Sequence, residues 1–315
     1  MKFLVTGGCG FIGSHLCETL LNGGHEVRIF DNMSTGLISH KPEKAELRTG
    51  DMRDRSALTD ALEDVDACFH LAAIASVEQS NRDWFETHRV NQSGTITLFE
   101  LASARANGKS PKPIVYASSA AVYGDLGAEP IHEHSPASPL SAYGADKLGC
   151  DQHAKVAGHV HGLPVIGLRF FNVYGPRQRP DSPYSGVISI FCDRIAHRKP
   201  VTIFGDGHQT RDFVYVSDVV EALVRAMAKV TTDAHVLNIC TGRRTSVLSL
   251  VSIISAIVGE RPRLIYQPSR AGEIRTSVGD PGRAHEILDF CAGVSLETGL
   301  ASTLSSVASR QLVPA

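Results

Sequence analysis

Phe3-Leu4-Val5 opens the chain as an apolar run without polar interruption, the pattern of a strand buried on both faces of a parallel sheet. A cluster of glycines follows. Ile12, Leu16, Leu20 and Leu21 then recur at helical spacing until Asn22-Gly23-Gly24 stops them. Val27-Arg28-Ile29-Phe30 reads as a second strand with Asp31 at its end. The alternation continues: a strand and turn at 47–51, a helix from near Ser56, and a buried strand at 67–73. A long helical segment runs from about 83 to 106, ended by Asn107-Gly108, and Ile114–Ser119 is the next strand. Residues 125–139, rich in Pro, Glu and Ser, read as a loop; a helix begins near Ser141, and Val165–Phe170 is a further strand. The order β-α-β-α-β-α-β predicts an α/β fold with a doubly wound parallel sheet and right-handed crossovers. After 176 the alternation loosens, and the polar stretch 178–186 reads as a crossing into a smaller C-terminal α/β lobe. The predicted division is 1–172 and 173–315, with segments of the second part returning to the first. From about Val294 a short amphipathic helix precedes a polar tail.

The glycines give the first unit its chemistry. Gly8-x-Gly10-x-x-Gly13 stands between the strand and the helix, the place of a dinucleotide fingerprint in a Rossmann-type sheet. The first glycines permit a tight turn and let backbone N–H groups reach a pyrophosphate, and Gly13 lets the helix pack close to the sheet. Asp31 falls where an adenosine ribose would lie. A carboxylate there accepts from both ribose hydroxyls of NAD and repels the extra phosphate of NADP, and residues 32–36 offer no Arg or Lys for such a phosphate. NAD is the expected cofactor. Asp51, at another strand end, either bonds the adenine amino group or caps the helix near Ser56.

Composition adds mainly exclusions. At 315 residues, with 43% hydrophobic and 20% charged residues, the chain has the make-up of an ordinary globular protein. A formal net charge of −2 predicts no electrostatic footprint for nucleic acid or an anionic membrane. The apolar run at 3–6 is too short for a signal or spanning segment, so a cytoplasmic enzyme is expected. The 7 cysteines are scattered without a Cys-x-x-Cys, which suits reduced packing residues, and the 14 histidines form no ligand pattern, so no metal is expected.

Tyr143-x-x-x-Lys147 puts two side chains on one helix face, one turn apart. A phenol ionises near pH ~10 in water and is a poor base at neutrality. A neighbouring ammonium and a nicotinamide cation both favour the phenolate. Ser119, at a strand end upstream, can hydrogen-bond the same substrate oxygen and relay its proton. Behind a dinucleotide fingerprint, the three read as a catalytic set.

The segments TGGCGFIGSHL, HLAA, YASSAAVYG, SAYGADK, RFFNVYGPRQ and GDGHQTRDFVYVSDVV together resemble the extended short-chain dehydrogenases/reductases of the UDP-hexose 4-epimerase family, over residues 1 to about 290. The resemblance implies that Ser119, Tyr143 and Lys147 are catalytic and that Phe170 borders the nicotinamide. Gly7, Gly10, Phe11, Ile12, Asp31, Asn32, Asp51, Met52, Leu71, Ala73 and Asn91 match cofactor-contacting positions. Dehydratases of the family carry an Asp-Glu pair after the catalytic hydroxyl, and decarboxylases a Glu. Here Ala120-Ala121 can neither give nor take a proton, which leaves oxidation and re-reduction at C4.

On the substrate side, the resemblance implies that Asn172, Arg211 and Arg270 hold the UDP-sugar pyrophosphate and that Phe204 and Val187 border the uracil. Ser76 matches a substrate-contacting position. Ser277 aligns with a gatekeeper facing the sugar C2 substituent, where a bulky Tyr restricts the pocket to plain hexoses and a small residue admits an N-acetyl group. Thr276, its strand neighbour, should face the other way. The expected activity is interconversion of UDP-GlcNAc and UDP-GalNAc, with UDP-Glc and UDP-Gal. Epimerisation of a UDP-hexuronic acid, net reduction of a keto-sugar nucleotide, or a non-catalytic NAD-sensing role stay open. The helices near 83–106 and 143–161 resemble those that pair into a four-helix bundle in family homodimers.

Overall fold

The computed structural model describes residues 1–103, 110–127, 129–181, 186–269 and 274–310. Six strands arise up to residue 170: β1 (Lys2–Thr6), β2 (Glu26–Asp31), β3 (Glu46–Thr49), β4 (Ala67–His70), β5 (Ile114–Ser119) and β6 (Val165–Phe170). The rest of the chain contributes β7 (Asn172–Tyr174), β8 (Val201–Phe204), β9 (Thr210–Arg211), β10 (Phe213–Tyr215), β11 (Val236–Ile239), β12 (Thr245–Ser246), β13 (Leu264–Gln267) and β14 (Thr276–Ser277).

Seven strands form one parallel sheet in the order β11-β6-β5-β4-β1-β2-β3. The chain winds outward from β1 to β3, then crosses to β4 on the other side of β1. Ligands of such sheets bind beyond the strand ends at this reversal. Successive residues of a strand face opposite sides, so both layers of the core are written into the apolar runs. Leu4 and Phe30 pack on one face with Leu58, Leu98 and Tyr116. Val5 and Ile29 pack on the other with Leu16, Leu20, Val219 and Leu223. The last two belong to the Val216–Ala228 helix, so this helix and β11 both return to the sheet from the second half of the chain.

The smaller lobe holds the parallel pair β8–β13, the pair β7–β10 and the triplet β12-β9-β14. Ile188, Phe191, Ile195, Leu250 and Ile254 of two helices, Val187–Ala196 and Val247–Val258, close its core. The Leu296–Arg310 helix lies against the first of these and buries Leu300 there.

The long helix expected at about 83–106 is interrupted. The chain forms short helices at Val77–Arg82 and Trp84–His88, a π turn at Arg89–Ser93 and a helix at Gly94–Ala102. Non-helical dihedrals at Asp83 (φ −133°, ψ 65°) separate the first two, and the π turn falls where Asn91 reaches inward to the loop after β4. The stop expected at Asn107-Gly108 lies outside the described residues.

Candidate active site

A cavity of about 940 Å³ runs along the carboxyl ends of the strands and into the smaller lobe. Gly7, at the exit of β1, has φ +70°, and a Cβ there would stand 2.8 Å from the Ala72 backbone nitrogen. Only glycine allows this approach. Gly10 precedes the Phe11–Asn22 helix with no side chain capping it, so the start of that helix faces the cavity with Gly10, Phe11 and Ile12 at its wall. Asp31 is 8% exposed; its Oδ2 accepts from the Cys9 N–H at 3.0 Å and its Oδ1 from the Met33 N–H at 2.9 Å. A carboxylate offers about four acceptor sites, so about two remain for a ribose diol. A glycine cradle without Cβ atoms and a carboxylate with spare lone pairs at the next strand end together fit a dinucleotide.

Asn32, Asp51 and Met52 line the far end of the cavity. Asp51 is not a helix cap: Asp54 takes that role, accepting from the Ser56 and Ala57 N–H groups. Asp51 instead accepts from Arg53 Nε at 2.8 Å, Nη2 at 2.9 Å and the backbone N–H at 2.9 Å, and from Asn32 Nδ2 at 3.0 Å. Chiefly the Arg53 side-chain bonds hold its carboxyl down at about 2. Leu71 and Ala73 lie on the wall after β4. That wall is held from behind: Thr6 Oγ1 accepts from the Leu71 and Ala72 N–H groups, and fully buried Asn91 grips Ile74, its Oδ1 accepting from the N–H at 2.8 Å and its Nδ2 donating to the carbonyl at 3.0 Å. Asn91 therefore does not line the cavity. His70 joins Thr6 Oγ1 (2.7 Å) to Thr95 Oγ1 (2.8 Å). Thr95 gives its own proton to the Asn91 carbonyl, so His70 must carry its proton on Nε2. Burial, reinforced by the Lys147 charge, pushes His70 down to about 3.

The second half of the cavity carries Ser119, Tyr143 and Lys147. Ser141 caps the Ala142–His161 helix, its Oγ accepting from the Gly144 N–H at 3.1 Å. The first turn is further tied down where the Tyr143 N–H donates to Ser80 Oγ at 3.2 Å. Ser80, which no sequence pattern marks for this contact, is fully buried. Tyr143 and Lys147 both line the cavity, with the Lys147 ammonium 5.9 Å from the Tyr143 ring centroid. Lys147 is 2% exposed and donates to the Ala117 carbonyl at 2.8 Å. Ser119 ends β5 beside them, and its Oγ accepts from the Ala121 N–H at 3.1 Å, which frees the hydroxyl proton for a ligand. Ala120 and Ala121 also line the cavity. Tyr116 and Tyr123 are pushed above the ordinary phenol value mainly by burial, Tyr123 to about 12.

Phe170, Asn172, Arg211 and Ser277 complete the lining toward the smaller lobe. Ser277 and Arg211 occupy the same rung of β14 and β9, while Thr276 is not part of the lining. Asp212, next to Arg211, is fully buried and accepts from Thr241 N–H and Oγ1, Gly242 N–H and Gly279 N–H at 2.7–3.3 Å. It welds the loop after β11 to the strand that carries Arg211, a role that its place in the motif QTRDF does not reveal. Three expected substrate contacts lie off the wall. Ser76 caps the Val77–Arg82 helix with its Oγ turned to the Gln79 N–H, while Ala75, Val77 and Gln79 face the cavity. Val187 begins a helix beside the lining residue Gly186. Phe204 ends β8 opposite Gln267. Arg270 lies outside the described residues. Among the described residues no group of three His, Cys, Asp or Glu side chains is placed to hold a metal.

The sequence profile of the NAD dependent epimerase/dehydratase family matches residues 3–240. The putative UDP-glucose 4-epimerase of Methanocaldococcus jannaschii is 38% identical over 300 residues, covering 94% of this chain and 95% of that protein. The crystal structure of the Thermotoga maritima UDP-glucose 4-epimerase with UDP-glucose superimposes with a TM-score of 0.93 at 35% identity, covering 99% of this chain and 100% of the other. The UDP-N-acetylglucosamine 4-epimerase of Methanobrevibacter ruminantium, in complex with UDP-N-acetylmuramic acid, gives 0.91 at 32% identity, covering 98% of each chain.

Proposed function

The chain belongs to the NAD dependent epimerase/dehydratase family, and from that premise we propose that it interconverts UDP-GlcNAc with UDP-GalNAc, and UDP-Glc with UDP-Gal, at C4. It is an NAD-dependent isomerase of UDP-sugars. The observation that carries the reading is the convergence of Ser119, Tyr143 and Lys147 on the cavity that also holds Gly7, Gly10 and Asp31.

When bound, NAD supplies the hydride acceptor and donor for C4. Gly7, Gly10, Phe11 and Ile12 would hold its diphosphate and Asp31 its adenosine ribose. Tyr143 takes the proton of the C4 hydroxyl and later returns it, a general acid–base role. Lys147, anchored to the Ala117 carbonyl, supplies positive charge beside the phenol when that proton leaves. Ser119, its acceptor side already occupied by Ala121, donates to the same sugar oxygen. Ala120 and Ala121 offer no second acid or base, so water elimination has no partner there. Asn172 and Arg211 anchor the substrate diphosphate while the oxidised sugar turns to present its other face. Ser277 supports the acetamido substrates, because a small side chain lies on the cavity side of β14 beside Arg211.

A homodimer and a cytoplasmic setting belong to the same proposal. Val156 and Val160 of the Ala142–His161 helix are about half exposed, and a groove of about 390 Å³ beside Val156 is lined by Ile96, Phe99 and Glu100 of the facing helix. Pairing of this face with a second copy would cover it, and sedimentation at micromolar concentration should give a dimer; a monomer would count against it. Product analysis after parallel incubation with UDP-Glc, UDP-GlcNAc and UDP-GlcA tests the activity. Conversion of the first two without net NADH consumption is expected, and turnover of UDP-GlcA alone would refute the assignment.

A further inference from the structure

Below the cavity, out of reach of any ligand in it, lies a buried polar cluster with no part in the chemistry above. We infer that Asp151 and Arg169 are positioning residues, whose ion pair sets the Tyr143–Lys147 helix against the strand end that carries Ser119. The inference rests on the roles assigned to those three residues.

Asp151 follows Tyr143 by eight residues and Lys147 by four, so all three share one helix face. At 1.5 Å per residue it lies about 12 Å from Tyr143 along the axis and is absent from the cavity wall. It is fully buried, and its two oxygens are bonded to two different strands. Oδ1 accepts from the Tyr116 hydroxyl of β5 at 2.8 Å, and Oδ2 from Arg169 Nε of β6 at 2.9 Å. In the register of these strands Arg169 pairs with Ser118 and Phe170 with Ser119. The pair thus grips the rung immediately below the catalytic serine. A helix held by one bond can slide or rotate; one carboxylate bonded to two adjacent strands limits both.

Arg169 is itself held rigid. Its Nη1 donates to the Tyr123 hydroxyl at 2.7 Å and its guanidinium lies 4.8 Å from the Tyr123 ring centroid. The Tyr123 hydroxyl donates to Asn238 Oδ1 at 2.7 Å, and Asn238 Nδ2 donates to the Ile131 carbonyl at 2.8 Å. The guanidinium fork therefore has one orientation available. Well-packed apolar residues would serve stability as well as a buried ion pair, but they lack its directionality.

Two variants test this in the full-length protein with NAD. Arg169→Lys keeps the charge and exchanges the fork for a single point contact. Asp151→Leu with Arg169→Met removes the pair and fills its space, leaving no uncompensated charge. In both, kcat for UDP-GlcNAc is expected to fall at least about 10-fold, since a misplacement of about 1 Å can cost about 100-fold. KM and NAD affinity by titration should stay near wild type, while the thermal midpoint of the double variant should fall by a few degrees, because the buried Tyr116 hydroxyl loses its acceptor. Either variant, folded and with wild-type kcat, would overturn the inference, because a merely structural pair is replaceable without kinetic effect. Should the double variant not fold, the kcat of Arg169→Lys decides alone. Loss of NAD affinity in parallel with kcat would also overturn it, by showing a general loosening of the fold. Wild-type protein that turns over none of the UDP-sugars would instead defeat the proposed function.

Discussion

Gly144→Ala tests how closely the helix that carries Tyr143 and Lys147 must approach Ser119 for the proposed reaction. A Cβ at Gly144 would stand 2.5 Å from the Ala121 carbonyl oxygen and 3.0 Å from Pro139 Cβ. Close carbon–oxygen contacts begin near 3.3 Å, so the first turn would have to retreat by about 0.8 Å from the Ser119–Ala121 turn. Tyr143 is the preceding residue and moves with it. A displacement of about 1 Å at reacting atoms can cost about 100-fold in rate, so kcat should fall about 10- to 100-fold. The protein should still fold. Alanine gains about 1 kcal/mol of helix propensity over glycine, against overpacking that costs about 1–3 kcal/mol. The net loss of at most about 2 kcal/mol leaves an ordinary domain folded. The assay is steady-state conversion of UDP-GlcNAc followed by chromatography, with NAD affinity and thermal midpoint measured on the same preparation. Reduced kcat at unchanged NAD affinity is the expected outcome. A folded Gly144→Ala enzyme with kcat within about 3-fold of wild type would show that this approach does not govern the rate.

Tyr143→Phe keeps the ring and removes its oxygen, so NAD and UDP-sugar should still bind while kcat falls by about 10²- to 10⁴-fold; near-normal turnover would remove Tyr143 from the mechanism. Ser277→Tyr should block UDP-GlcNAc by steric overlap and spare UDP-Glc, and equal loss on both sugars would argue against a gatekeeper at this position. His70, down at about 3 when folded, regains an ordinary value near 6.5 when unfolded, so the unfolded state binds its proton first as pH falls. Its contribution is therefore fully present above about pH 6.5 and is lost toward about pH 3, at up to about 1.4 kcal/mol per unit. Denaturant titrations should give wild type the steeper decline over that window than His70→Gln; equal slopes would contradict a buried neutral His70.

The elements around the dinucleotide site were legible because their signals are local. Gly7, Gly10, Asp31 and the first helix fall within one strand–turn–helix–strand unit, and Tyr143 and Lys147 share a helix face by spacing alone. Ser119 was legible as the end of an apolar run. Other features needed the fold, because their partners are far apart in sequence. Nothing near Asn91 announces that its side chain closes on Ile74, 17 residues away, from a π turn behind the wall. Ser76 was expected in the cavity, yet its short side chain is satisfied by the turn it caps, and Ala75 and Val77 face inward instead. Asp54 rather than Asp51 caps its helix, a choice made where Arg53 folds back onto Asp51. Asp151, Arg169, Tyr123 and Asn238 carry no shared pattern, since residues up to 115 apart meet only once β5, β6 and β11 lie side by side. Sequence alone determined the local chemistry of the turns and the apolar faces that build the sheet. Tertiary structure decided which polar groups meet, because a buried hydrogen bond is specified by the position of its partner in space and leaves no periodic trace along the chain.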